Sequence, residues 1–117
     1  MKKTLDKGNT TIAPDVLLTT IRLTTLNVEG VSRMGSTPAG VNRLIRRGFG
    51  EGVRVNIKDD IVTVDIYVIL KSEVNIREVS RNIQRNVGRA ITDLIGMRIG
   101  RVNVHIEDVD YPDNGEV

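Results

Sequence analysis

A chain of 117 residues that is 39% hydrophobic and 27% charged is sized for one domain, burying roughly two thirds of its unfolded surface, and is too apolar to stay disordered. It has no cysteine, which excludes a disulfide framework, a thiolate nucleophile and a cysteine-type zinc site, and fits a reducing cytosol. The net charge of +2 is small but unevenly spread: six arginines against Glu78 and Asp93 between Arg77 and Arg101, then five acids and no base from Glu107 to Val117.

Residues 1–10 are polar and aperiodic, which predicts a flexible arm. Their basic start resembles a signal peptide, but no apolar run of the necessary length follows, and no stretch approaches the ~20 apolar residues of a bilayer span. Membrane association is therefore expected to be peripheral or through a partner. A first helix is predicted from Pro14, suited to the first helical position, to about Asn27, with Gly30 beyond it. Leu17, Leu18, Ile21 and Val28 share its core face. Val16, Leu23 and Leu26 form a second apolar arc, which either packs under a neighbouring loop or meets a partner.

Val31–Met34 reads as a short strand, followed by a loop from Gly35 to Gly40 and a short helix over 41–47 carrying Arg43, Arg46 and Arg47 outward. Alternation predicts a strand at Val53, Val55 and Ile57, a turn at Lys58-Asp59-Asp60 and a long strand from Ile61 to Leu70. The second helix is strongly signalled. Asn75 and Glu78 match a capping box, and Val74 and Val79 bracket it as a staple. Ile76, Val79, Ile83, Val87, Ala90, Ile91 and Leu94 form its expected core stripe, with Gly96 as the stop. Arg77, Arg81, Arg85 and Arg89 lie opposite. A last strand from about Ile99 to Glu107 turns Val102, Val104 and Ile106 inward and Arg101, Asn103, His105 and Glu107 outward.

These elements predict an α+β fold: a small mixed sheet of about four strands, two main helices on one face, and a strand-helix-strand crossover in the C-terminal half. The expected organisation is an arm over 1–10, one domain over 11–110 and an acidic tail over 111–117.

Candidate chemistry falls away residue by residue. His105 is the only histidine and has no second and third ligand at metal-site spacing. No serine stands in a G-x-S-x-G setting. Asp59-Asp60 is explained by a turn. Gly48-Phe49-Gly50-Glu51-Gly52 lacks the lysine and hydroxyl of a P-loop and leads into a strand. Arg47-Gly48-Phe49-Gly50 matches the start of an RNP1 signature, but Glu51 and Val55 stand where base-stacking aromatics belong. No catalytic, cofactor-binding or metal-ligating residue is expected, and no small-molecule substrate.

The arginine row is the remaining signal. Outward charges at this spacing are ordinarily a solvated face, but a face tuned for helix stability interleaves acids, because like charges at i, i+4 repel. Arginine's planar fork suits carboxylate or phosphate. The row is therefore either a solvated face or a contact surface for an anionic partner, and in the second case protein comes first and nucleic-acid phosphates are the alternative. Direct attachment to anionic lipid ranks below protein, because no apolar anchor adjoins the row. Asp108, Asp110 and Asp113 of the acidic run are secondary contact candidates, docking on the arginine face of a neighbouring copy.

Five fragments in order resemble the alkaline shock protein family of envelope stress response proteins of Gram-positive and related bacteria. They are Ile12-Ala13-Pro14-Asp15-Val16, Val28-Glu29-Gly30-Val31, Val64-Asp65-Ile66-Tyr67-Val68, Ile76-Arg77-Glu78-Val79 with Asn82-Ile83-Gln84, and Val102-Asn103-Val104-His105-Ile106. The resemblance implies a non-enzymatic cytoplasmic scaffold or adaptor in envelope homeostasis, gathered at the inner face of the membrane by a membrane-anchored protein partner and able to self-associate. The first helix departs from the family's alanine- and glutamate-rich pattern with Thr19, Thr20, Thr24, Thr25 and Arg22.

Overall fold

The computed structural model describes residues 12–36 and 52–112. The expected short helix over 41–47, residues 48–51 of the glycine-rich run and Asp113 lie outside the described residues. Helix α1 spans Pro14–Leu26 with proline in its first turn and Asp15 near the positive end of the helix dipole. Leu17, Leu18, Ile21 and Thr25 are its buried face. A buried threonine on an apolar face needs an acceptor, and Thr25 Oγ1 donates to Ile21 O at 2.8 Å. Gly30 closes the turn after α1 with φ of 102°. A Cβ there would sit 2.7 Å from Val79 Cγ2, so glycine meets both the backbone angle and the close approach of the second helix.

Strands β1 (Val31–Met34), β2 (Val53–Lys58) and β3 (Ile61–Lys71) follow. The β2–β3 hairpin turns on Asp59 and Asp60, both left-handed at φ 55° and 66°, a geometry that aspartate tolerates. Helix α2 (Ile76–Arg89) runs on into a π-helical segment, Ala90–Ile95, before β4 (Arg98–Asp110). β3 is the centre of the sheet. β4 lies parallel to it along one edge. On the other edge β1 and β2 are both antiparallel to β3 and meet end to end at Tyr67, whose O accepts from Gly35 N (2.7 Å) and whose N donates to Gly52 O (2.8 Å). The sheet is thus mixed and four-stranded, and the β3–α2–β4 crossover is present as the alternation implied.

Both helices pack on one face. Leu17, Leu18 and Ile21 of α1 meet Val79, Ile83, Val87 and Ile91 over the even-numbered β3 residues Val62, Val64, Ile66, Val68 and Leu70. Each such aliphatic side chain contributes about 1.5–3 kcal/mol when fully buried.

Two members of the expected α2 stripe are corrected. Ile76, in the first turn, is 48% exposed, and Leu94 is 75% exposed. For Leu94 the reason is the π-helical segment: Gly96 N–H bonds to Ile91 O, five residues back, so each turn holds more residues than the 3.6 assumed in projecting the stripe. Ile95, not Leu94, packs against the core. Gly96, at φ 81°, ends the segment in the left-handed region.

Candidate contact faces

The outer face of α2 is built from its N-terminus. Asn75 accepts the Glu78 backbone N–H at 3.0 Å, so the cap expected from the N-x-x-E pattern sets the start of the helix. The apolar stripe then faces the core and turns Arg77, Arg81, Arg85 and Arg89 to solvent, all four exposed. None of the four forms an ion pair with a described acid. Arg85 donates to Asn82 Oδ1 at 3.1 Å. Asn75, Arg77, Glu78, Arg81, Asn82 and Arg85 line an open depression of ≈ 390 Å³.

The second arc of α1 is exposed, with Val16 at 50%, Leu23 at 54% and Leu26 at 37%. It does not pack into the hydrophobic core.

The acidic run is not uniformly free. Asp110 is held by β1: Arg33 Nε donates to its Oδ2 at 2.9 Å, Arg33 Nη2 to Oδ1 at 3.1 Å and Ser32 Oγ to Oδ2 at 2.7 Å. The Arg33 and Ser32 hydrogen bonds hold the Asp110 carboxyl below its ordinary pKa. Glu107 Oε1 accepts the Ser36 N–H at 3.1 Å. Asp108 is exposed, and among the described residues its Oδ1 accepts only the adjacent Val109 N–H. The last strand, expected to end near Glu107, therefore runs on to Asp110, and an acid placed by a strand beside an arginine of another strand pairs within the chain.

The sheet face away from the two helices carries a cluster that no single sequence motif announces. Asp65 on β3 receives Arg54 Nη2 from β2 at 3.2 Å, Asn103 Nδ2 from β4 at 3.2 Å, and lies 3.0 Å from His105 Nε2. Tyr67 and His105 stack, with ring centroids 4.4 Å apart and planes 13° apart. Burial pushes the Asp65 carboxyl up, but hydrogen bonds from His105 and Asn103 and the Arg54 charge outweigh it, holding the group below its ordinary value. Pairing register creates this cluster: Arg54 opposes Asp65, Asp65 opposes Asn103 and Tyr67 opposes His105. Alternation had already turned Asn103 and His105 outward on the last strand; only the register says that they meet Asp65 and Tyr67. Among the described residues no group of three acidic, histidine or cysteine side chains is placed to hold a metal.

Fold and faces together define a small α+β domain with one satisfied polar sheet face and one uncompensated cationic helix face. The profile of the alkaline shock protein 23 family, described as cell envelope-related in function, matches residues 2–111. The chain belongs to that family, the one the five fragments indicated. It is 34% identical over 103 residues to an uncharacterized protein of Streptococcus pyogenes serotype M6, covering 87% of this chain and 79% of that one. It is 29% identical over 106 residues to the uncharacterized protein YqhY of Bacillus subtilis strain 168, covering 89% and 78%. Among solved structures, two variants of MamM-CTD match with TM-scores of 0.56 and 0.55 at 15% and 14% identity, covering 84% and 82% of this chain and 100% and 99% of theirs. At that identity the likeness concerns the fold alone. No described helix is long and apolar enough to cross a membrane.

Proposed function

We propose that this protein is a non-enzymatic scaffold or adaptor in cell-envelope homeostasis, working through protein contacts made by the outer face of α2. The observation that carries the proposal is the row Arg77, Arg81, Arg85 and Arg89, exposed and without a described acidic partner. Such a face accepts mutual repulsion in the free protein and is relieved by a carboxylate-bearing surface, for which arginine supplies bidentate hydrogen bonds. In this reading the protein works on the cytoplasmic side of the membrane, reached through a membrane-anchored protein, and the family's cell envelope-related function supports it. The exposed Val16, Leu23 and Leu26 are a second, apolar contact candidate on the same domain. An acidic tail docking on the arginines of a neighbour would use Asp108 and the residues past Pro112, since Asp110 and Glu107 are engaged at the β1 end.

The test is recovery of partners from host membrane extracts with the whole chain and with an Arg81→Glu, Arg85→Glu variant, before and after nuclease. A protein retained by the parent, lost by the variant and indifferent to nuclease is expected. Identical recovery by both would remove the arginine face from the reading. Capture abolished by nuclease would transfer the face to nucleic acid, whose binding weakens steeply with salt.

A further inference from the structure

We propose that β4 is the pairing edge of a symmetric homodimer, in which the β4 strands of two copies run antiparallel about a two-fold axis at Val104 and join the two sheets into one. The proposal names the partner in the self-association part of the reading above but uses none of the α2 arginines, so the two fail separately.

β4 is 13 residues long, and it pairs only with β3, leaving its outer edge without a described strand. A long open edge is an association hazard that proteins blunt with lysine, proline or short strands. β1 and β2 follow that practice, being only 4 and 6 residues long. β4 has neither lysine nor proline, and the charged residues and the two register shifts that also blunt an edge fall outside its central run from Val102 to Ile106. Its inward apolar residues Val102, Val104 and Ile106 remain only half-buried, whereas their β3 neighbours Val64, Ile66 and Val68 are fully buried. Apolar area therefore persists at this edge.

The backbone fits the same arrangement. Register is regular from Arg101 to Ile106, with shifts on either side. In a parallel ladder alternate residues direct their N–H and C=O to the neighbour and the others direct theirs away. Val102 O is taken by Gln84 Nε2 at 3.0 Å and not by β3, which places Val102, Val104 and Ile106 in the outward set. Gln84 acts as a removable cover on a carbonyl that a second strand would use.

The sequence of the edge is complementary to itself when reversed. With the axis at Val104, Val102 faces Ile106 of the second copy, Asn103 faces His105, and Arg101 faces Glu107, each pair occurring twice. Arg101 and Glu107 are exposed; Arg101 has no described ion pair, and Glu107, which in the single copy accepts the Ser36 N–H, exchanges that bond for Arg101 of the second copy. Moving the axis by one residue either way opposes Arg101 to His105 or to Val109 and loses both charge pairs. A two-fold interface of this kind is isologous and closed.

Sedimentation equilibrium of the whole chain is expected to show a dimer. Arg101→Glu alone and Glu107→Arg alone should each raise its dissociation constant about tenfold, two like-charge contacts replacing two opposite pairs, and the double exchange should restore it. Val104→Pro, which removes an outward N–H at the axis, should leave a monomer whose circular dichroism matches the parent's. Arg81→Glu, Arg85→Glu should leave the dimer intact. A parent that stays monomeric at every concentration overturns the proposal. So does a dimer indifferent to Val104→Pro, a charge exchange without restoration, or a dimer abolished by the α2 variant alone.

Discussion

The outer face of α2 and the face of the sheet away from the helices are both polar and charged, yet they handle charge in opposite ways. Four arginines on α2 meet no described acid, whereas Asp65 on the sheet collects Arg54, Asn103 and His105 within 3.2 Å. A helix face is populated by residues three and four apart in one segment, so a segment poor in acids yields an uncompensated surface. A sheet face is populated by three or four segments at once, and their register supplies partners from elsewhere in the chain. A charge cluster on a helix is thus the better sign of an outside partner, and one on a sheet the better sign of internal structure.

The contrast is sharpened by mutations ordered by expected effect. Ile83→Ala, on the inner side of the same helix as the arginines, should cost about 2–5 kcal/mol, because the buried side chain leaves a cavity between α2 and β3. Urea denaturation reads this directly. Asp65→Ala should cost about 1–3 kcal/mol by leaving Arg54, Asn103 and His105 without their shared acceptor; a loss no larger than that of a surface change would mean that the cluster is ornamental.

Asp65 also sets an acid limb. Its folded pKa lies below the ordinary value, so its contribution is fully present above about pH 4 and is lost as pH falls through the lowered folded value. Stability measured against pH should therefore fall less steeply below that point in Asp65→Asn than in the parent.

Asn75→Ala should cost about 1 kcal/mol through loss of the α2 cap, seen as a lower melting temperature. Arg81→Ala should change stability by less than about 0.5 kcal/mol in either direction, since no described acid is lost and some repulsion is relieved. A substantial loss there would show that the row is held by internal contacts and is not free for a partner.

Much of the fold was legible because its signals are local. Proline at the start of α1, the alternation of β3, the Asp59-Asp60 turn and the Asn75 cap each concern residues within one turn or one hairpin of each other. The arginine row was equally legible, being a single helical period. The second arc of α1 could be drawn from the same periodicity, but whether anything in the core covered it could not, because that depends on which elements pack beside it.

What the amino-acid sequence by itself determined was the order of the described elements, most of the core face of each helix and the family, all set by short-range spacing and order. The tertiary structure alone decided that Asp110 belongs to Arg33 and Asp65 to three other strand residues, because those contacts depend on the register between distant segments. It also decided that Leu94 faces solvent, since a π-helical segment breaks the 3.6-residue period on which any projection of the helix rests. The joining of β1 and β2 at Tyr67, and with it an outer edge of β4 that pairs with no described strand, follows from which strands share the long central strand, and no local pattern carries that information.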